Sequence, residues 1–238
     1  MSASLKLSSF DAVTFDFYGT IVNWEPEILA FLQGWTQSQE CSLSDNTLLE
    51  AYDRLRQPIQ AERPAWRYPE VLRLTLDAMA AEFGCPLPAE LRLKFGAIAG
   101  THLAFPDSLS TLFALKELGL VLGALSNIDD ASFDTILAGL GFTFDVRVTA
   151  QRVGAYKPDK THFLAALADL RAQGIEKERV LHVAQSKRAD IVPANELGLT
   201  CVWVERPGHV FGRRGGGAES AQATYTVSSL AQLLDFSS

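Results

Sequence analysis

The sequence predicts an α/β fold in which a doubly wound parallel sheet carries an inserted block of helices. Short apolar runs alternate with amphipathic stretches of about ten residues, which is typical of βα units that form a parallel sheet. Residues 22–100 show helical spacing and no strand signal. We therefore expect a core formed by residues 1–21 and 103–238, and a helical cap domain formed by residues 22–102.

The first predicted strand ends on a carboxylate. Residues Val13–Phe15 are β-branched or aromatic, as a strand buried on both faces requires, and Gly19 marks a turn with an unusual backbone path. Because ligands bind at the carboxyl ends of parallel strands, Asp16 is a candidate nucleophile. The alternative is that Asp16 only caps the helix that follows.

Helices are predicted throughout the inserted block from apolar residues at helical spacing. They cover Ile28–Trp35, Leu48–Leu55, Pro69–Phe83 and Pro88–Ile98. Trp35 and Trp66 could form a homodimer face if they are exposed, but such residues more often lie in a core or line a pocket.

The α/β pattern resumes after Pro106 and continues to the end of the chain. The predicted strands are Leu120–Leu125, Phe144–Val148, Arg179–Ala184 and Thr200–Val204. The predicted helices are Ser108–Leu118, Ala131–Leu140, Thr161–Gln173 and Asp190–Leu197. Residues Gly212–Gly217 are expected to form a flexible loop, and Tyr225–Val227 with Leu230–Phe236 are expected to complete the core.

Composition narrows the class of partner. The chain has 21 Lys and Arg against 28 Asp and Glu, so no overall basic field attracts nucleic acid or an anionic membrane, and a small molecule is the expected partner. No apolar run is long enough to span a bilayer and no signal segment is evident. The three cysteines are widely spaced and odd in number, which argues against a disulfide framework or a zinc site and favours a reducing cytoplasm.

Polar side chains follow three later strands. Ser126 and Asn127 follow the strand that ends at Leu125, and either could instead cap the next helix. Lys157 precedes a proline that stiffens its loop, and its ammonium could hold Asp16 ionised and attract an anionic substrate. Asp190 either pairs with Lys157 or starts a helix. All these groups are expected at the edge of the sheet that receives Asp16.

Taken together, these residues resemble the four motifs of the haloacid dehalogenase superfamily. The segment Asp16–Thr20 resembles the first motif, Ser126 the second, Lys157–Pro158 the third and Asp190 the fourth. The resemblance implies a Rossmann-like core with a helical cap between the first and second motifs.

Position 18 indicates a branch of that superfamily. Most members are magnesium-dependent phosphatases with a second Asp two residues after the nucleophile, where this chain has Tyr18. The fourth motif offers Gln185 and Ser186 in place of a further acid. Magnesium favours carboxylates, so the resemblance implies a reaction without metal or cofactor. Halide departure needs no proton, and the form Asp-x-Tyr-Gly-Thr resembles the L-2-haloacid dehalogenases.

This resemblance implies a hydrolase that forms an aspartyl ester at C2 of a small 2-substituted carboxylic acid, most readily a 2-haloacid. Asp16 would be the nucleophile, and Thr20 and Ser126 would orient it or the substrate carboxylate. Lys157 would supply positive charge, and Asp190 would position Lys157 or the hydrolytic water. The residues expected to bind substrate are Tyr18, Asn127, Gln185, Ser186 and one arginine of the cap. The cap offers Arg54, Arg56 and Arg67, and Arg54 is the one predicted to bind.

Three alternatives remain open. The fourth motif reads Gln185-Ser186-Lys187 where those dehalogenases have Ser-Ser-Asn, which leaves room for opening of a strained cyclic amino acid such as azetidine-2-carboxylate. The second alternative is a magnesium-dependent small-molecule phosphatase. The third is a non-catalytic binding protein on the same scaffold, against which the retention of Asp16, Lys157 and Asp190 argues.

Overall fold

Parallel strands with helices on both faces form the centre of the molecule, which a computed structural model describes for residues 5–208, 218 and 220–237. The strands are β1 (Ala12–Asp16), β2 (Val22–Asn23), β3 (Leu103–Ala104), β4 (Val121–Ser126), β5 (Val146–Thr149), β6 (Val180–Ala184), β7 (Thr200–Val204) and β8 (Tyr225–Val227). The helices are α1 (Glu25–Ser38), α2 (Asp45–Glu62), α3 (Tyr68–Phe83), α4 (Ala89–Ala97), α5 (Ser108–Glu117), α6 (Asp130–Leu140), α7 (Ala150–Val153), α8 (Thr161–Ala172) and α9 (Val192–Glu196).

Across the described residues, the main sheet has six strands in the order β5-β4-β1-β6-β7-β8, and every neighbouring pair is parallel. Strand β1 is buried along its whole length. Val13 and Phe15 belong to the apolar cluster on one face of the sheet, whereas Ala12 belongs to the cluster on the other face. This alternation follows from the two-residue period of a strand. The predicted doubly wound parallel sheet is confirmed.

The helices α1–α4 lie between β1 and β4 in the chain. Their ends are joined by β2 and β3, which pair antiparallel through Val22 with Ala104 and Asn23 with Leu103. These strands were not predicted, because two residues are too few to show a period. The division into a core and a cap stays a prediction.

The cysteines do not behave as their spacing indicated. Cys41, after α1, and Cys85, after α3, form a disulfide with a Cα–Cα distance of 6.2 Å, and Cys201 is free and buried. Helix packing brings together two loops that lie 44 residues apart in sequence, so spacing alone could not reveal the pair. The expectation of no disulfide was therefore wrong, and it no longer supports a reducing cytoplasm, which stays a prediction.

Two surface expectations also change. Trp35 is only 1% exposed and its Nε1 donates to the carbonyl of Pro86 at 2.8 Å, so it belongs to the interior of the helical block. Trp66 is 44% exposed, so of these two residues only Trp66 can contribute to the predicted homodimer face. The homodimer itself stays a prediction. The expected loop Gly212–Gly217 lies outside the described residues. Within the described ranges, no helix combines the length and the apolarity needed to cross a bilayer.

Candidate active site

The carboxylate of Asp16 lies at the end of β1 and is held on both oxygens. Its Oδ1 accepts from Lys157 Nζ at 2.8 Å, and its Oδ2 accepts from Thr20 Oγ1 at 2.7 Å. The Thr20 hydroxyl in turn accepts from the backbone N–H of Gln185 at 2.8 Å. Gly19 has a φ of 93°, a conformation that glycine adopts without steric cost, and this turn brings Thr20 back against Asp16.

Lys157 bridges two carboxylates in the interior. Its Nζ donates to Asp16 Oδ1 at 2.8 Å, to Asp190 Oδ1 at 2.6 Å and to the carbonyl of Leu125 at 2.8 Å. An ammonium has three N–H donors, so every donor of Lys157 has an acceptor within the protein. Lys157 therefore acts on a ligand through its charge, because no N–H is left to bind one directly.

Burial and charge shift the pKa values of these three groups in different directions. Burial raises the pKa of Asp16 above its ordinary value, and the attraction of Lys157 offsets only part of this. For Asp190, burial also raises the pKa, but Lys157 and His182 outweigh it and the net shift is downward. Burial lowers the pKa of Lys157, but Asp16 and Asp190 outweigh it and raise the value. When both carboxylates are ionised, the form in which Asp16 can attack as a nucleophile, the three groups carry a net charge of −1.

The residues after β4 support the lysine loop. Asn127 Oδ1 accepts from the Lys157 N–H at 2.7 Å, and its Nδ2 donates to the Lys157 carbonyl at 3.0 Å. Ser126 is fully buried, and its hydroxyl has no hydrogen-bond partner among the described residues. Its carbonyl accepts from His162 Nε2 at 3.2 Å. Asn127 thus fixes the backbone of Lys157, while Ser126 lies behind the site.

Tyr18 connects the turn that follows Asp16 to the helical block. Its hydroxyl donates to the carbonyl of Ala99, which lies just after α4. Its ring makes edge contacts with His102 at 5.1 Å and with Tyr68 at 5.9 Å between centroids. Burial holds the pKa of Tyr18 well above its ordinary value, so the hydroxyl stays protonated. Position 18 therefore offers a neutral, already bonded group beside Asp16.

A cavity of about 70 Å³ opens beside Asp16. It brings together Asp16, Tyr18, Asn127, Lys157, Gln185, Ser186 and Asp190, all of which the sequence had placed in the site. The remaining lining residues are Trp24, Asp53, Arg56, Tyr68, Ile128, Arg188 and Ala189. Thr20 and Ser126 are not among the lining residues. The cavity thus lies between the carboxyl edge of the sheet and the helices α1–α3.

Arg54 does not fit its predicted place. Its side chain is 58% exposed, and Nη2 contacts Glu82 Oε1 at 2.6 Å outside the cavity. Arg56 lines the cavity instead, with Nη2 at 2.6 Å from Asp53 Oδ1. A helix turns by about 100° per residue, so two positions along α2 place these arginines on nearly opposite sides.

A family model for haloacid dehalogenase-like hydrolases matches residues 10–198. The chain belongs to this family. The match covers the segments that contain Asp16, Lys157 and Asp190, as well as the whole helical block.

Among curated proteins, the hydrolase matches phosphatases over part of its length. A glyceraldehyde 3-phosphate phosphatase from Methanocaldococcus jannaschii is 27% identical over 133 residues, or 55% of each chain. A phosphoserine phosphatase from Thermus thermophilus is 29% identical over 145 residues, covering 60% of this chain and 57% of the relative. The chain spans little more than half the length of the curated relatives that it matches.

Solved structures match the hydrolase over nearly its full length. The L-2-haloacid dehalogenase PA0810 is 25% identical with a TM-score of 0.73, covering 94% of this chain and 97% of that one. A haloacid dehalogenase-family phosphatase from Thermococcus onnurineus is 26% identical with a TM-score of 0.62, covering 95% and 97%. Both dehalogenases and phosphatases are hydrolases, and these likenesses leave the specific activity open.

Sequence reasoning named Arg56 as one of three candidate arginines but chose Arg54, and it missed Asp53 and Arg188. Asp53 and Arg56 stand three residues apart on a predicted helix, which is the spacing of a surface ion pair and carries no mark of a pocket. Arg188 lies two residues before Asp190 in a π-helical turn, Lys187–Ile191, that directs it into the cavity. A π-helical turn often marks a functional site, but it has no recognisable sequence signature.

Proposed function

We propose that this hydrolase breaks a bond at C2 of a small 2-substituted carboxylic acid through an ester on Asp16, with a 2-haloacid as the leading substrate. The observation that carries the proposal is the setting of Asp16. Its carboxylate faces the cavity, Lys157 and Thr20 hold it, and the neighbouring Tyr18 hydroxyl is engaged by Ala99. Such a site offers a nucleophile without an adjacent acid to protonate a leaving group.

In the first step, a carboxylate oxygen of Asp16 attacks C2, and the halide leaves with the bonding electron pair. A halide is a very weak base, so it departs without a proton, and the neutral Tyr18 suffices at that position. The product of this step is an ester between Asp16 and the acid.

In the second step, water attacks the carbonyl carbon of the Asp16 ester and releases a 2-hydroxy acid. Asp190 lines the cavity, and its Oδ2 has no hydrogen-bond partner within the described part of the chain. That oxygen can accept a hydrogen bond from the attacking water, take its proton and pass a proton to the C2 oxygen as the bond to the Asp16 carbonyl carbon breaks. The lowered pKa of Asp190 keeps this carboxylate ionised at neutral pH. Cleavage returns Asp16 with one oxygen atom that came from water.

The size of the cavity and the structural likeness support a small acid. Pockets for drug-sized ligands measure about 300–1,000 Å³, far more than the 70 Å³ beside Asp16. A nucleotide is therefore a poor fit. The L-2-haloacid dehalogenase PA0810 resembles the hydrolase over nearly the whole of both chains, with a higher TM-score than the phosphatase from Thermococcus onnurineus.

A magnesium-dependent small-molecule phosphatase is the second candidate, and the identity to two phosphatases favours it. Its metal would need several carboxylate oxygens. Asp16 and Asp190 already share the ammonium of Lys157 between them, and Tyr18 provides a neutral hydroxyl. Among the described residues, no three His, Cys, Asp or Glu side chains come together as a metal site. The residues present do not fit the ion, so no step is drawn through it.

Chloride release from each enantiomer of 2-chloropropionate tests the proposal. We expect release by the wild type and none by Asp16→Asn. Asp11→Asn is the matched control, because Asp11 precedes β1 at its other end and pairs with Arg179 at the surface. A single turnover in oxygen-labelled water should place the label on Asp16 first.

Failure to release halide from any 2-haloacid would contradict the leading substrate. Consumption of azetidine-2-carboxylate in its place would keep the ester on Asp16 and change the leaving group. Phosphate release that stops with a chelator would establish the second candidate instead.

A further inference from the structure

Two arginines line the cavity from different elements. Arg56 comes from α2, and Arg188 comes from the turn that follows β6. Burial lowers the pKa of Arg188 and the nearby charge of Arg56 lowers it further, while Asp53 and Asp190 offset only part of this. Two guanidinium groups in one small, partly buried space repel each other, and an anion between them would relieve this repulsion.

The charge balance of the cavity makes Arg188 necessary for an anionic ligand. Asp16, Lys157 and Asp190 together carry −1, and Asp53 cancels Arg56. Without Arg188, a carboxylate would enter a cavity that is already negative and that holds an anionic nucleophile. With Arg188, the empty cavity is neutral, since three carboxylates face three cations.

The hydrogen-bond donors that remain for a ligand also lie on the side of the cavity formed by Arg56. Lys157 has no N–H left for a ligand, and both ends of the Asn127 amide are bonded to the backbone of Lys157. Arg56 makes a hydrogen bond through Nη2 to Asp53, while its buried Nε has no partner among the described residues. A guanidinium has five N–H donors, so Arg56 retains donors for a ligand.

We propose that Arg56 and Arg188 bind the carboxylate of the substrate, so that C2 faces Asp16, the leaving group lies on the side of C2 opposite Asp16, and the carboxylate lies to the side of that line. This inference rests on the proposed function and assigns the residues that select the substrate. Guanidinium groups match the two oxygens of a carboxylate, and pairs of this kind are short and strong. Because the cavity measures only about 70 Å³, the carboxylate and the reacting carbon must be neighbours. The site should therefore favour 2-substituted over 3-substituted acids.

Binding of propionate tests the inference without any reaction, because propionate has no leaving group. Its dissociation constant can be measured by ligand-observed NMR and compared with that of propionamide, its neutral analogue. We expect propionate to bind the wild type at least about 10-fold more tightly than propionamide does. Arg56→Met and Arg188→Met should each weaken propionate binding by about 10-fold or more. Arg54→Met is the matched control on α2 and should leave it unchanged.

The Arg188→Lys variant guards against a folding defect. It keeps the charge but loses the planar fork, so its affinity for propionate should fall between those of the wild type and Arg188→Met. Equal binding of propionate and propionamide would overturn the inference, as would wild-type affinity in Arg188→Met. If haloacids are hydrolysed and Arg188→Met leaves KM unchanged, the inference about the arginines is wrong and the proposed function stands. If propionate binding depends on both arginines and no haloacid reacts, the proposed function is wrong and the assignment of the arginines stands.

Discussion

The two sides of the cavity are built by different means. The sheet edge, defined as Asp16, Lys157 and Asp190, consists of buried charges that bond to one another where β1 ends and in the segments after β5 and β6. The helical wall, defined as Trp24, Asp53, Arg56 and Tyr68, consists mainly of aromatic rings and one ion pair. Register between strands fixes the sheet edge, whereas side-chain packing between helices fixes the helical wall. Under the proposed function, the chemistry takes place at the sheet edge, and Arg56 of the helical wall contributes to the selection of the ligand.

The largest effect should come from removing the cation of the sheet edge. Lys157→Met leaves two buried carboxylates without their partner, which we expect to lower the free energy of unfolding by about 3–5 kcal/mol and to abolish activity. Lys160→Met is the control, since Lys160 is partly exposed, pairs with Glu196 and should matter by less than about 1 kcal/mol. Urea unfolding measures both. Equal losses of unfolding free energy in the two variants would contradict the view that buried charges stabilise the sheet edge.

The next largest effect should come from removing the disulfide Cys41–Cys85, which links the segments after α1 and α3. Cys41→Ser should lower the free energy of unfolding by about 2–4 kcal/mol, because the unfolded chain loses a cross-link. The difference from the wild type should vanish when both are unfolded in reductant. Thiol labelling of the denatured, unreduced protein should find one reactive group, Cys201. Three labelled thiols would show that the disulfide is absent.

Acid should weaken the sheet edge through the buried histidine behind it. Burial lowers the pKa of His162 to about 3, with its Nε2 donating to the carbonyl of Ser126. The unfolded state takes up a proton near pH 6.5 and the folded state does not, so stability is full above that pH. It should fall by about 1.4 kcal/mol for each pH unit below it, until the pKa of the folded state is reached. His162→Gln should remove this contribution to the pH dependence of the unfolding free energy. If that free energy depends on pH in the same way for both proteins, the prediction is wrong.

A smaller effect is expected from the hydroxyl groups that support the helical wall. Tyr52 and Tyr68 are buried and share a hydrogen bond of 2.8 Å between their hydroxyl oxygens. Tyr52→Phe leaves the Tyr68 hydroxyl unpaired and should cost about 1–2 kcal/mol of unfolding free energy. The double variant with Tyr68→Phe should recover part of that loss, because no unpaired group remains. A strictly additive double variant would mean that the two hydroxyls do not depend on each other.

The difference between the two sides also explains how far the sequence could be interpreted. Asp16, Lys157 and Asp190 follow apolar runs that predict strands, and parallel strands must bring their carboxyl ends to one edge. The choice between Arg54 and Arg56 depended on how α2 rotates against its neighbours. Arg56 follows the buried Tyr52 by four residues and shares its face of α2, whereas Arg54 lies on nearly the opposite side, so the spacing of the apolar residues could have separated them. The disulfide could not be found in this way, because the packing of α1 and α3 brings its two cysteines together.

The hydrogen bond from Tyr18 to the carbonyl of Ala99 also limits how this scaffold could change its reaction. An aspartate at position 18 would be too short to reach that carbonyl, and its charge would face another oxygen rather than a donor. The substitution would therefore bring a second carboxylate beside Asp16 and break the contact that joins the turn after Asp16 to the segment after α4. The turn around Ala99 would have to be rebuilt as well. Conversion to a metal-dependent phosphatase should thus require several coordinated substitutions, and a single exchange at position 18 should give an inactive protein.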